Sequence, residues 1–191
     1  MKKYEIIRLG LILFVITAIA GLILGGAHAI TKVSIENQII AENNNAMKET
    51  LPKADSFKKL NIIIKDKIVK EINQGFAGTT LVGYTIKVAS KGYNGNLELV
   101  VGISISGKVE GMKIIAQNET PGLGANSVKP KFSSQFKGKA LTPELKVVKA
   151  SSSNPNEIDA ITGATITSKA VTLGVNEAIN VFTTQLKGGQ N

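Results

Sequence analysis

The strongest constraint on this chain is its apolar run from Leu9 to Ile30, LGLILFVITAIAGLILGGAHAI, broken only by Thr17 and His28. About 20 such residues make a helix of ~30 Å, the thickness of a bilayer's hydrocarbon core. Lys2, Lys3 and Arg8 precede the run, and Lys32 is the only early cation after it. That bias predicts a single-pass anchor in the cell (inner) membrane. Residues 1–8 are then cytoplasmic, 9–30 span the bilayer, and the remainder is extracytoplasmic. A cleaved signal peptide is the rival reading, and Ala27-His28-Ala29 resembles a small-x-small cleavage site. Its apolar region would be about 7–15 residues, shorter than this run, so the uncleaved anchor is preferred. His28 then sits at the interface, as a polar residue at the end of the span.

Composition removes whole classes of chemistry. The chain has no Cys and one His. It therefore offers no disulfide framework, no thiolate nucleophile, no Cys-ligated cluster and no multi-His metal site. The net charge is +9. Lys2, Lys3, Arg8 and Glu5 all precede residue 31, so the rest keeps +7. That excess is lysine, because Arg8 is the only arginine. Without arginine forks, and with aromatics at 5%, nucleic acid is not an expected partner.

Beyond the anchor the pattern predicts a stalk over 31–59 and a folded domain over 60–191. The stalk continues as helix for a few turns, weakened at Glu42-Asn43-Asn44-Asn45 and ended by Pro52. Residues 60–72 fit either strand or short helix. Tyr84–Ala89 alternates at period two, Gly92-Tyr93-Asn94-Gly95-Asn96 reads as a hairpin turn, and Leu97–Ser106 and Val109–Ala116 follow as strands. A further strand is expected at 145–150. Val171, Gly174, Val175, Ala178, Val181, Phe182 and Leu186 recur at helical spacing, with Gly188-Gly189 as terminator. The expected class is α+β: an antiparallel meander with flanking helices behind one N-terminal transmembrane helix.

Two segments carry candidate chemistry. Asp159-Ala160-Ile161-Thr162-Gly163-Ala164-Thr165-Ile166-Thr167-Ser168 precedes the last helix, with Lys169 beside it. Small residues at a helix start leave backbone N–H groups open to an anion, a natural phosphate site. The spacing is not that of a P-loop. On physics alone a plain N-cap, with Thr167 or Ser168 as the capping residue, is the preferred account of the segment. The second segment is Glu119-Thr120-Pro121-Gly122-Leu123-Gly124, a stiff loop able to present amides to a planar ligand.

Together, in this order and behind an anchor, these segments resemble the flavin-binding G subunit of the Rnf electron-transport complex. They are also similar to the related C subunit of the sodium-pumping NADH:quinone oxidoreductase. Gly92-Tyr93-x-Gly95, Lys129-Pro130-Lys131-Phe132 and Phe136-Lys137-Gly138 extend the resemblance over nearly the whole chain. Gln117 departs from it, standing where relatives often carry His.

The resemblance implies FMN, joined through its phosphate to the Thr165 hydroxyl by a flavin transferase that reads Asp159, Thr162, Gly163, Ala164 and Thr165. It implies flavin contacts from Glu119, Thr120, Gly122, Leu123, Gly124, Thr162, Gly163, Ala164, Thr167, Ser168 and Lys169. From their charge alone, Lys129 and Lys131 fit equally an attraction for the phosphate or a partner and plain solvated lysines. The implied partners are neighbouring subunits of a ferredoxin:NAD+ oxidoreductase that pumps Na+ or H+, the transferase, and the lipid bilayer. This subunit would pass electrons without independent catalysis and without a catalytic residue of its own. A single helix with no charge in its middle is a poor ion path. A non-redox anchored adaptor is the alternative of a different class.

Overall fold

The computed structural model describes residues 3–64, 66–142, 144–149 and 151–187. Helix α1, Lys3–Thr50, is the first element. The chain forms two compact units, Met1–Glu42 and Asn43–Asn191.

In the first unit the apolar side chains of α1 are exposed around the whole helix, including Leu9, Phe14, Ile19 and Leu24. A helix apolar on every side suits a lipid environment rather than a soluble core. It is long and apolar enough to cross a membrane. Its one mid-span hydroxyl is satisfied internally: Thr17 Oγ1 donates to the carbonyls of Leu13 and Phe14, each at 3.0 Å. That arrangement avoids an unpaired polar group in hydrocarbon.

The second unit is built on a five-stranded antiparallel sheet in chain order. Its strands are β1 (Ser56–Lys59), β2 (Val69–Ala77), β3 (Thr80–Lys91), β4 (Asn96–Ser104) and β5 (Val109–Ala116). The three strands expected from Tyr84 onward are present, and the sheet is a continuous meander. One face is the core. Tyr84, Ile86 and Val88 stand opposite Ile103, Val101 and Leu99, and all six are buried. Short helix α2 (Pro130–Ser133) and helix α3 (Thr165–Val181) follow in the chain. α3 lays Val171, Val175 and Ala178 on the core face. Gly174 leaves room for Leu99, and the Tyr84 and Phe182 rings meet edge-on at 5.8 Å.

The opposite sheet face receives the end of α1. Leu51 is fully buried over Gly75 and Gly83, a cross-strand pair. A Cβ at Gly75 would lie 2.5 Å from Leu51 Cδ2, and one at Gly83 3.0 Å from Leu51 Cδ1. A Cβ at Gly102 would run into the Thr50 carbonyl. Small residues thus form a groove across β2, β3 and β4 for the helix terminus. Lys113 closes one side with an ion pair to Glu49 at 2.6 Å.

Several expectations change here. The Asn43–Asn45 stretch does not interrupt α1, because burial of Ala46, Thr50 and Leu51 on the sheet outweighs weak local propensity. Pro52 does follow the helix end. In place of a stalk over 31–59 and a domain from 60, the compact unit begins at Asn43 and takes in β1. β1 is only four residues, two of them lysine, and carries no alternating pattern to read. Residues 60–68 form neither helix nor strand among those described. β6 (Lys146–Val148) lies within the strand expected at 145–150, and Ala150 falls outside the described residues. Its parallel partner β7 (Glu157–Asp159) has no counterpart among the expected strands. The terminator Gly188-Gly189 also lies outside the described residues.

Gly102→Ala must displace backbone rather than a flexible side chain. It is expected to cost about 1–3 kcal/mol, as overpacking does. A lower urea midpoint of the full chain in detergent, at unchanged slope, is the expected reading.

Candidate functional site

The two candidate segments meet. Glu119 is buried, and its Oε2 accepts a hydrogen bond from Thr167 Oγ1 at 2.6 Å. Its Oε1 accepts from the backbone N–H groups of Tyr93, at 2.9 Å, and Asn94, at 3.1 Å. The start of the loop is set by Gln117, whose Oε1 accepts the Glu119 N–H at 2.6 Å. Beyond it the Thr120 carbonyl accepts from Leu123 and Ala125, closing the Pro-Gly turn.

These contacts frame an open cleft of about 620 Å³. Tyr93, Glu119, Thr120, Leu123 and Gly124 line one side, and Gly163 to Thr167 the other. The start of α3 faces it. The cap position is Ala164, and no side chain caps the helix. The first-turn N–H groups and the helix dipole are therefore available to an anion. Gly163 makes the approach possible: its φ is +75°, and an added Cβ would lie 3.0 Å from Leu123 Cδ2.

The hydroxyls of this segment divide by use. Thr167 is bound to Glu119. Ser168 Oγ donates to the Ala164 carbonyl and accepts from the Ile161 N–H, each at 2.9 Å. Neither caps the helix from the N-cap position, because α3 begins earlier, at Thr165. Thr165 is half-buried, lines the cleft, and makes no side-chain hydrogen bond among the described residues.

The remaining predicted residues separate. Gly122, Asp159 and Thr162 line a second cleft of about 620 Å³, together with Lys129, Lys131 and the buried Phe132. Leu123 and Gly163 line only the first cleft. Asp159 is held by Gln135, which accepts its N–H at 2.7 Å, and its Oδ1 accepts the Ser152 N–H at 2.5 Å. Lys169 is exposed and Ser168 is buried, and neither lines either cleft. Tyr93 and Ile166, absent from the predicted contacts, do line the first cleft. The Gly92-Tyr93 turn is visible in the sequence as a hairpin turn, but its closure onto the loop is not.

An apolar-rimmed cleft, an uncapped helix start and a free hydroxyl at that start fit a phosphate-tethered ligand with a flat ring. The comparisons with known proteins give the class. Residues 92–180 match the family model of the FMN-binding domain. The chain is 42% identical over 190 residues to the G subunit of the Na(+)-translocating ferredoxin:NAD(+) oxidoreductase complex of Acetobacterium woodii, covering 93% of this chain and 91% of that one. It is 40% identical over 166 residues to the G subunit of the proton-translocating ferredoxin:NAD(+) oxidoreductase complex of Clostridium ljungdahlii, covering 87% and 85%. The solved structure of the C subunit of the Na(+)-translocating NADH-quinone reductase of Parabacteroides distasonis aligns with a TM-score of 0.63 at 19% identity, over 81% of this chain and 96% of that one. This last likeness shows a shared fold. The chain belongs to the family of G subunits of ion-translocating ferredoxin:NAD(+) oxidoreductase complexes.

The segment leading into the site has a pH signature. Glu157 in β7 is held below the ordinary carboxyl range, first by the Asn154 side-chain amide and then by the Ser153 N–H. A folded-state value below the unfolded one stabilises the loop above the ordinary range. That contribution is lost as pH falls through the lowered value. An NMR titration is expected to give a Glu157 midpoint below that of a free glutamate, with the Ser153 and Asn154 amide shifts moving in step.

Proposed function

We propose that the protein is the flavin-carrying electron-transfer subunit of a membrane-bound, ion-translocating ferredoxin:NAD+ oxidoreductase. Its FMN is esterified through the phosphate to Thr165. The observation that carries this reading is the Thr165 hydroxyl, open to the cleft at an uncapped helix start while its neighbours' hydroxyls are engaged.

When bound, FMN supplies reversible electron transfer; the polypeptide supplies tethering and surroundings. The first turn of α3 receives the phosphate through its N–H groups and dipole. Gly163 and Ala164 keep side-chain bulk away from that approach. Tyr93, Leu123 and Ile166 give the cleft apolar walls for the ring. A covalent tether matters for a domain outside the cytoplasm, where a dissociated flavin cannot be replenished from the cytoplasmic pool. Asp159 and Thr162, on the second cleft, are the part of the motif offered to a flavin transferase. Lys169 adds positive charge nearby without lining the cleft.

Residues 9–30 anchor the subunit, with Lys2, Lys3 and Arg8 retained on the cytoplasmic side and the flavin domain outside. The relatives named for Na+ and for H+ are similarly close, so the proposal covers either ion. Electrons arrive from and leave to neighbouring redox subunits, and a single uncharged span leaves ion passage to other subunits.

Co-expression with a flavin transferase tests the attachment. Wild-type protein is expected to fluoresce in a denaturing gel. Thr165→Ala is expected to lose that signal completely, while Thr183→Ala, at the far end of the same helical segment, keeps it. A fluorescent Thr165→Ala band would place the flavin elsewhere.

A further inference from the structure

The family resemblance implies a flavin contact at Glu119, but the bonding of this residue describes a different job. Both oxygens of its carboxyl are spent within the protein. Oε1 takes two backbone N–H groups from the β3–β4 turn, and Oε2 takes the hydroxyl of the first turn of α3. The residue is 6% exposed. Two glycines make the arrangement possible. A Cβ at Gly92 would collide with Oε1, and a Cβ at Gly124 would collide with Oε2 and lie 2.5 Å from Thr167 Oγ1. A second bond ties the same turn to the same loop, from Asn94 Nδ2 to the Asn118 carbonyl at 2.8 Å.

The turn so held carries Tyr93, which is 69% exposed on the rim of the cleft. Turns of this kind are ordinarily mobile surface elements. Here a buried acceptor fixes two consecutive N–H groups of the turn, and the same acceptor fixes the helix start that presents Thr165. We infer that Glu119 is a positioning residue: it latches the 92–95 turn to the first turn of α3, so that the Tyr93 wall and the Thr165 hydroxyl face one another across the cleft. This inference refines the proposed flavin site and rests on that reading for the identity of the ligand, whereas the latch itself does not. Its chemistry predicts that a neutral isostere suffices. A glutamine oxygen still accepts both backbone bonds, and its amide nitrogen can donate to the Thr167 oxygen. Charge is dispensable; two-ended hydrogen bonding is not.

The test uses full-length protein in detergent and has two arms. In protein made without transferase, Glu119→Ala is expected to speed hydrogen exchange at the Tyr93 and Asn94 amides by roughly tenfold, as local opening becomes easier. Glu119→Gln is expected to restore most of the protection. Thr167→Val keeps the volume and removes one of the three bonds, so it gives a smaller effect and serves if the alanine variant does not fold. In flavinylated protein, iodide quenching is read per attached flavin. It is expected to rise severalfold in Glu119→Ala and to return near wild type in Glu119→Gln. Unchanged exchange and unchanged quenching in Glu119→Ala would overturn the latch. So would a glutamine variant as disturbed as the alanine one, which would point to charge instead. A wild type that never acquires covalent flavin would sink the attachment reading alone, because the exchange arm still decides the latch.

Discussion

The bond from Thr167 to Glu119 joins positions 48 residues apart, and the cleft depends on it. The loop from Glu119 to Gly124 leaves the sheet after β5, and α3 begins much later, after two short parallel strands. Core packing places α3 against β3 and β4, but it does not by itself orient the first turn toward the loop. A buried carboxyl with three donors does. Burying a polar group is costly unless it is hydrogen-bonded, and Glu119 meets that condition with three bonds spread over both oxygens.

Much of the fold was legible because the relevant patterns are local. The meander announces itself through alternation at Tyr84–Ala89 and through the turn glycines, and the final helix through Val171, Val175 and Ala178. The apolar run is unmistakable by length. What escaped has no local signature. β1 is lysine-rich and pairs at an edge, β7 has three residues, and α1 persists through its asparagines only because its end is buried on a sheet contributed by later sequence. Gly75, Gly83 and Gly102 read as ordinary strand glycines until the helix terminus is seen lying on them.

The candidate site was legible in its parts but not in its partition. The residues placed this segment just before the last helix, with Thr167 or Ser168 as its cap, and only the family resemblance singled out Thr165; the helix proved to begin at Thr165. Sequence alone could not say which hydroxyls were already spoken for. The structure engages Thr167 and Ser168 within the protein, leaves Thr165 open, and sends Asp159 and Thr162 to a separate cleft. The motif therefore has two faces, one lining each cleft. The want of cysteine and of histidine clusters fits a chain whose reactive group would be borrowed and hung from a hydroxyl.

The central claim is that Thr165 carries the flavin. Tandem mass spectrometry of the tryptic peptide 150–169, from protein purified out of cells that contain a flavin transferase, tests it most directly. The predicted result is a peptide heavier by one FMN less one water, with fragment ions assigning the addition to Thr165. An unmodified peptide, or an addition assigned to Thr162, Thr167 or Ser168, would contradict it.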